Sequence, residues 1–340
     1  MVFQQDLLSW FQQNKRDLPW RRTKDPYAIW VSEVMLQQTQ VKTVIPYYER
    51  WLSTYPTLQH LAKADEQHIL SLWQGLGYYR RCKSLLQGAK WMTVNGIPKT
   101  AKEWMQVPGV GPYTAAAVAS IALDESAPLV DGNVERVFAR LTGCELEGKS
   151  LHQAAWVWAK KALYPDEPGE WNQALMELGS EVCTPRAPIC SSCPLLKHCV
   201  AYRKKKVFEL PRLSPKIKPV RLTHLVWVPY HEGAFGLKQI PEGEWWGKMW
   251  EFPRIDSNHA TPAQSLKVMV GEGETIFLGK QKHAVTHHQI EIEACLVMCK
   301  DKSTHLTWVK QEDMDQLALP SPQRKIFQKA LSACIAKVPS

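Results

Sequence analysis

The sequence predicts two domains, an all-helical one followed by a smaller α+β one. Three observations carry this. Residues 1 to about 200 show no convincing apolar/polar alternation of period two. Residues 203–221, RKKKVFELPRLSPKIKPVR, hold eight Lys/Arg against one Glu, with three prolines, a composition that resists both burial and regular structure. Beyond them, alternating segments begin: RLTHLVWVPY, AFGLKQIP, HHQIEIEACLVMC and HLTWVKQ. The expected layout is a helical domain at 1–202, a basic linker at 203–221 and an α+β domain at 222–340, and 340 residues suffice for two cores.

Apolar residues make up 45% and charged residues 22%, which places the chain among ordinary globular proteins rather than fibrous or disordered ones. No apolar run approaches the roughly 18 residues of a membrane helix, and MVFQQDLLSW lacks the pattern of a secretion signal. A cytoplasmic protein with no membrane partner is expected, nucleoid-associated if it binds DNA. A net charge of +9 favours a polyanionic partner and says nothing of fold. Nine cysteines in a chain of this kind are not expected to form disulfides, and four of them fall between Cys183 and Cys199.

In the helical half, Asp25-Pro26 reads as N-cap and first helical residue. The next run, YAIWVSEVMLQQ, is apolar nearly all round, so the helix is expected to be buried. Further helices are expected near 43–54, 66–74, 82–94, 99–106, 112–122, 133–142, 150–163 and 170–180. In the second domain helices are expected near 262–271 and 320–336.

Four motifs point to chemistry. In VPGVGPYTAAA, Gly109 and Gly111 admit positive φ and close backbone approach, and a helix opening at Pro112 would aim free N–H groups into the turn. That is a helix-hairpin-helix grip on a phosphate backbone; an ordinary helix–helix turn capped by glycine fits the same residues. Glu33 lies mid-helix among Ile29, Trp30 and Leu36. Burial there would raise its pKa and make it a general acid near neutrality, whereas an exposed or arginine-paired Glu33 would do neither. Asp131 stands just before the helix marked by Val134, Val137, Phe138 and Leu141. It reads as a cap, and the helix start is expected to keep it ionised. One protonated and one ionised carboxyl is what cleavage of a glycosidic bond requires. Last, the spacing Cys183-x6-Cys190-x2-Cys193-x5-Cys199 reads as one metal centre. Zinc and iron–sulfur both remain open, and a single Cys-x2-Cys flanked by lone cysteines leans to [4Fe–4S]. Lys197 and His198 inside the loop could face phosphate.

Together with LPWR at 18–21, GLGYYRR at 75–81, VDGNVERV at 130–137 and WWGKMWEFP at 245–253, these motifs resemble the helix-hairpin-helix base-excision glycosylases, and among them the adenine DNA glycosylase family. The resemblance covers essentially the whole chain. It implies two helical subdomains around a catalytic cleft, with a [4Fe–4S] cluster in one and a Nudix-like domain appended. It implies a monomer acting on double-stranded DNA that carries adenine opposite 8-oxoguanine or guanine. By similarity, Glu33 protonates adenine and later activates water, and Asp131 stabilises the oxocarbenium-like sugar. Tyr113 and Asn133 line the site, Trp20 and Arg21 the adenine pocket. Leu36, Gln38, Thr39 and Tyr78 match DNA-facing positions, Gln38 and Tyr78 as wedges. Endonuclease III carries a lysine where Tyr113 stands, and a phenol cannot form a Schiff base, so no efficient strand cleavage is expected. TPAQSLKVMVGEGETIF holds nothing like the metal box of Nudix hydrolases, so the second domain is expected to bind without hydrolysing. The family reads oxidised guanine there through a loop often written Phe-Ser-His, matched here by Val285-Thr286-His287 before His288. A thymine glycosylase and a non-enzymatic damage sensor are the competing readings.

Overall fold

A computed structural model describes residues 2–212, 218–256 and 268–337. It divides into two compact units, Met1–Lys63 with Ser84–Pro215, and Ala64–Lys83 with Lys216–Ser340.

In the first unit, α1 spans Val2–Asn14, α2 Pro26–Leu36, α3 Val41–Thr54 and α4 Leu58–Ala62. After α5 (Glu66–Leu72), which belongs to the second unit, α6 covers Arg80–Asn95, α7 Ala101–Trp104, α8 Pro112–Leu123 and α9 Gly132–Thr142. Next come α10 (Gly148–Ala162), α11 (Pro168–Glu177) and α12 (Val200–Arg203). Local chemistry starts these helices where the sequence announces it. Asp25 accepts from the N–H of Tyr27 and Pro26 opens α2; Asp131 caps α9, and Gly143 closes it in the left-handed region. α2 and α8 are buried along almost their whole length and pack on each other, with Trp30, Trp51, Trp104 and Trp171 filling the surrounding core. The helix expected to run to Gln106 closes after Trp104, and the one expected to reach 180 passes at Leu178 into a π-helical turn ending at Val182. Gly179 in that turn leaves no room for a side chain, because a Cβ there would stand 2.6 Å from Asn133 Cβ.

The second unit is built on a mixed sheet. Its long central strands, β1 (Val220–His231) and β6 (His288–Cys299), run parallel from Val220↔His288 to Tyr230↔Met298. β2 (Ala234–Gln239) and β4 (Arg254–Asp256) pair antiparallel with β1. β3 (Trp250–Glu251) and β7 (Thr307–Lys310) pair with β2, and β5 (Gly273–Val285) pairs antiparallel with β6. Val226, Val228, Phe235, Leu237, Ile292 and Leu296 form a core closed by Ile326 and Phe327 of the terminal helix α13 (Ser321–Lys337). The four strands read from the sequence are present. Three more are not legible there: β3 and β4 are only two and three residues long, and β5 is hidden by its composition, where Gly273, Gly279, Lys280 and Lys282 interrupt the alternation of a strand bonded on one side only. The helix expected near 262–271 lies mostly outside the described residues, and 268–270 are helical.

Residues 64–83 join this unit through polar contacts. Gln67 Nε2 donates to Lys248 O at 2.8 Å, Lys83 Nζ to Gly247 O at 2.6 Å and Gln74 Nε2 to Leu319 O at 3.0 Å. No helix among the described residues is long and apolar enough to cross a membrane.

Candidate active site and cysteine loop

A cleft of about 1520 Å³ opens in the first unit. Eleven of the residues singled out in the sequence line it: Trp20, Arg21, Glu33, Leu36, Gln38, Thr39, Gly109, Gly111, Tyr113, Asp131 and Asn133. Four elements deliver them. The turn before α2 supplies Trp20, held edge-on against Tyr48 at 5.4 Å. α2 presents Glu33, α8 presents Tyr113 at its second residue, and the start of α9 supplies Asp131 and Asn133.

Glu33 is 4% exposed. Burial pushes its carboxyl up to about 7, against the lowering effect of a 2.7 Å hydrogen bond from the Tyr113 hydroxyl and with a further push from Asp131. The Tyr113 hydroxyl also lies 3.3 Å from Met176 Sδ. Asp131 accepts from Val134 N at 2.7 Å and from Asn133 Nδ2 at 2.8 Å. The helix start alone would keep it low, but burial outweighs these bonds and its pKa is raised from the ordinary value. Burial thus raises both carboxyls; Asp131 accepts two N–H groups and faces Arg136, and Glu33 accepts one hydroxyl and faces Arg21.

The hairpin preceding α8 differs from expectation at one glycine. Gly109 adopts φ +80°, and a Cβ there would lie 2.4 Å from Ser84 Cβ. Gly111 takes φ −101° instead and caps the helix in extended backbone, because Pro112 must come next. No side chain caps α8, so its first N–H groups lack a side-chain partner of the kind a phosphate oxygen would supply, and Gly111, Pro112 and Tyr113 at its start line the cleft.

Sequence reasoning missed Arg16, Glu177, Gln173 and Gln37 of the cleft lining. Glu177 is 1% exposed. Burial pushes it up, but hydrogen bonds from Arg16 and Arg21 outweigh this and bring it down to about 2. Arg16 reaches it through Nε at 2.8 Å and Nη2 at 2.6 Å, and Arg21 through Nη2 at 3.0 Å. Arg21 is thereby fixed at the cleft wall. The partners stand more than 150 residues apart, so local pattern could not pair them.

Tyr78, Thr286 and His287 belong to the second unit. Tyr78 is half exposed at φ 47°. Thr286 and His287 form the turn between β5 and β6, with Thr286 at φ 54° and its hydroxyl bonded to Val285 O at 2.7 Å. His287 is thus in the turn rather than on a strand. His288 opens β6, with its ring 4.1 Å from His287 and 4.7 Å from Trp245.

All four cysteines of the loop line one cavity with Val182, Pro188, Leu196, Tyr202 and Arg140. Burial pushes the Cys193 thiol up to about 12 and also raises Cys190 and Cys199, so metal binding would have to displace protons. Among the described residues, no three His, Cys, Asp or Glu side chains converge closely enough for a single ion. Four soft donors spread around an apolar cavity suit a multi-atom sulfur-ligated group better than one tetrahedral ion. Arg140, 2% exposed, pins the loop by donating to Thr184 O at 2.8 Å and Cys183 Sγ at 3.4 Å. His198 Nε2 lies 3.3 Å from Asp6, and the ring packs on Phe3.

A helical cleft with paired carboxyls beside a glycine hairpin defines a class. Residues 31–161 match the model of the HhH-GPD superfamily base excision DNA repair proteins, and residues 224–329 match the NUDIX domain. The chain is 46% identical to the adenine DNA glycosylase of Mus musculus, across 96% of this chain and 77% of the mouse protein. It is 48% identical to that of Rattus norvegicus over 65% of this chain, a match spanning 46% of the rat protein's length. The structure of a thermostable thymine-DNA glycosylase superposes with a TM-score of 0.54 at 30% identity, covering 60% of this chain and 96% of that one. The chain belongs to the adenine DNA glycosylase family.

Proposed function

We propose that this protein removes adenine mispaired with 8-oxoguanine or guanine in duplex DNA. It hydrolyses the N-glycosidic bond and leaves an abasic site without efficient strand cleavage. The observation that carries this reading is the Tyr113–Glu33 pair: a buried carboxyl near 7, hydrogen-bonded to a phenol where a lyase needs an amine.

The target nucleoside must leave the stack to enter the cleft. Trp20 and the Glu177-bound Arg21 wall its pocket. Glu33 gives its proton to N7 of adenine as the C1′–N9 bond breaks, so the base leaves neutral. Asp131, oriented by Val134 and Asn133, faces the positive charge that develops on the sugar. Water then attacks C1′, and its proton returns to Glu33. Exposed Gln38, on the cleft's lip, fills the space the nucleoside vacates. The N-terminus of α8 holds a phosphate. In the second unit, Thr286 and His287 offer a hydroxyl and an imidazole to the oxidised guanine.

Cys183, Cys190, Cys193 and Cys199 would hold a [4Fe–4S] cluster, which when bound cross-links the loop. Iron and acid-labile sulfide content of anaerobically purified protein tests this, and zinc without iron would refute it.

The function is tested on labelled duplex carrying adenine opposite 8-oxoguanine, analysed with and without hot alkali. A cut only after alkali supports the proposal, and a cut without alkali removes its monofunctional half. The likeness to a thymine-DNA glycosylase makes G·T duplex the competitor to include; preferential loss of thymine would replace this reading.

A further inference from the structure

Two cross-links join α2 to α8 at the floor of the cleft. Glu33 lies in the last turn of α2, and Gln37, four residues on, is the residue that caps it. They meet successive residues of α8. The first link is Tyr113 to Glu33 at 2.7 Å, and the second is Gln37 Nε2 to Thr114 Oγ1 at 3.1 Å. The first sits at the reacting centre. The second touches no reacting atom in the mechanism above, yet Thr114 is 2% exposed and Gln37 lines the cleft.

The backbone around Gln37 gives the second link its purpose. Gln37 breaks α2 at φ −56° and ψ 109°, and Gln38 takes φ 59°. A left-handed residue that is not glycine persists only where its surroundings over-determine it. Within the turn, Thr39 N donates to Leu36 O at 3.2 Å. The Gln37–Thr114 bond ties that turn to a buried position on the neighbouring helix. We propose that Gln37 is a positioning residue that holds the strained turn, so that Gln38 is fixed as the wedge before DNA arrives. A fixed wedge saves the ordering cost that a floppy one would incur at the moment of nucleoside extrusion. The inference rests on the wedge assignment made for Gln38 under the proposed function.

The test uses the full-length protein and a duplex with adenine opposite 8-oxoguanine, with 2-aminopurine beside the target. Stopped-flow fluorescence reads extrusion and single-turnover cleavage reads excision. Gln37→Leu and Thr114→Val should each slow extrusion about fivefold, the equivalent of one net hydrogen bond. The double variant should be no slower than either single one. Thr114→Ser, which keeps the hydroxyl, should restore the rate lost in Thr114→Val. The pH midpoint of excision, set by Glu33, should not move in any of them. Multiplicative losses in the double variant, or unchanged extrusion in Gln37→Leu, would overturn the proposal. Gln38→Ala separates the two claims: if it leaves extrusion unchanged, the wedge assignment falls and takes the proposal with it. If it slows extrusion while Gln37→Leu does not, only the tether falls.

Discussion

The Tyr113 hydroxyl donates to Glu33 Oε2 at 2.7 Å, and this bond stabilises the carboxylate rather than the acid. Burial sets Glu33 near 7, and Tyr113 keeps it from rising higher. Excision should therefore decline as pH rises through about 7, because the proton donor is lost. Tyr113→Phe removes a lowering influence, so its decline should shift to higher pH. Single-turnover rates between about pH 5 and 9, in both proteins, check this; an unshifted midpoint would mean another group controls it.

The same burial costs stability at high pH. Folding raises Glu33 from its ordinary 4.5 to about 7, so its contribution to stability is fully present below 4.5 and is lost as pH rises through 7. Glu33→Gln should abolish excision, keep DNA binding, and be more stable than the parent at about pH 8 by on the order of 3 kcal/mol. Near about pH 5 the difference should shrink to a small fraction of that. Thermal melts at the two pH values measure it.

Glu177 behaves with the opposite sign. Its folded value of about 2 lies below its ordinary one, so its contribution is present above 4.5 and disappears as pH falls through 2. Glu177→Ala strands Arg21 without its carboxylate and leaves Arg16 only Glu181, and it should cost about 3 kcal/mol. It also leaves Arg21 held only by Gln173 and the Arg16 carbonyl, so excision should fall more than duplex binding. Denaturant titration together with single-turnover kinetics separates the two effects.

The two hairpin glycines should respond differently. Gly109→Ala meets both a left-handed backbone and Ser84, whereas Gly111→Ala meets neither strain nor any atom within 4 Å. Gly109→Ala should lower the melting temperature by several degrees, the equivalent of about 1–2 kcal/mol. It should also weaken salt-sensitive binding to undamaged duplex. Gly111→Ala should melt like the parent, and a shared drop would contradict the assigned backbone.

The legible parts of the fold and site are those encoded within a few residues. Asp25-Pro26 and Asp131 announce helix starts because capping is a local bond, and the apolar neighbours of Glu33 announce its burial. Glu177 is invisible in the sequence because its meaning lies in arginines from the other end of the helical unit. Asp131 is legible as a cap but not in its raised pKa, since a cap is local and desolvation is not. The Thr286–His287 turn lacks the Asn-Gly chemistry that marks tight hairpins, and the strand before it is interrupted by glycine and lysine.

The make-up of the second unit sets a clock on biosynthesis. Residues 64–83 belong to it, yet the atoms they bond lie far downstream: Lys248 O is 181 residues beyond Gln67, and Arg324 is 250 beyond Gln74. A ribosome adding about 5–20 residues per second needs roughly 10–50 s to bridge the longer gap. For that interval Gln67 and Gln74 have left the tunnel without these partners. The segment thus emerges early and meets these hydrogen-bond partners late, the window in which a nascent-chain chaperone would find it.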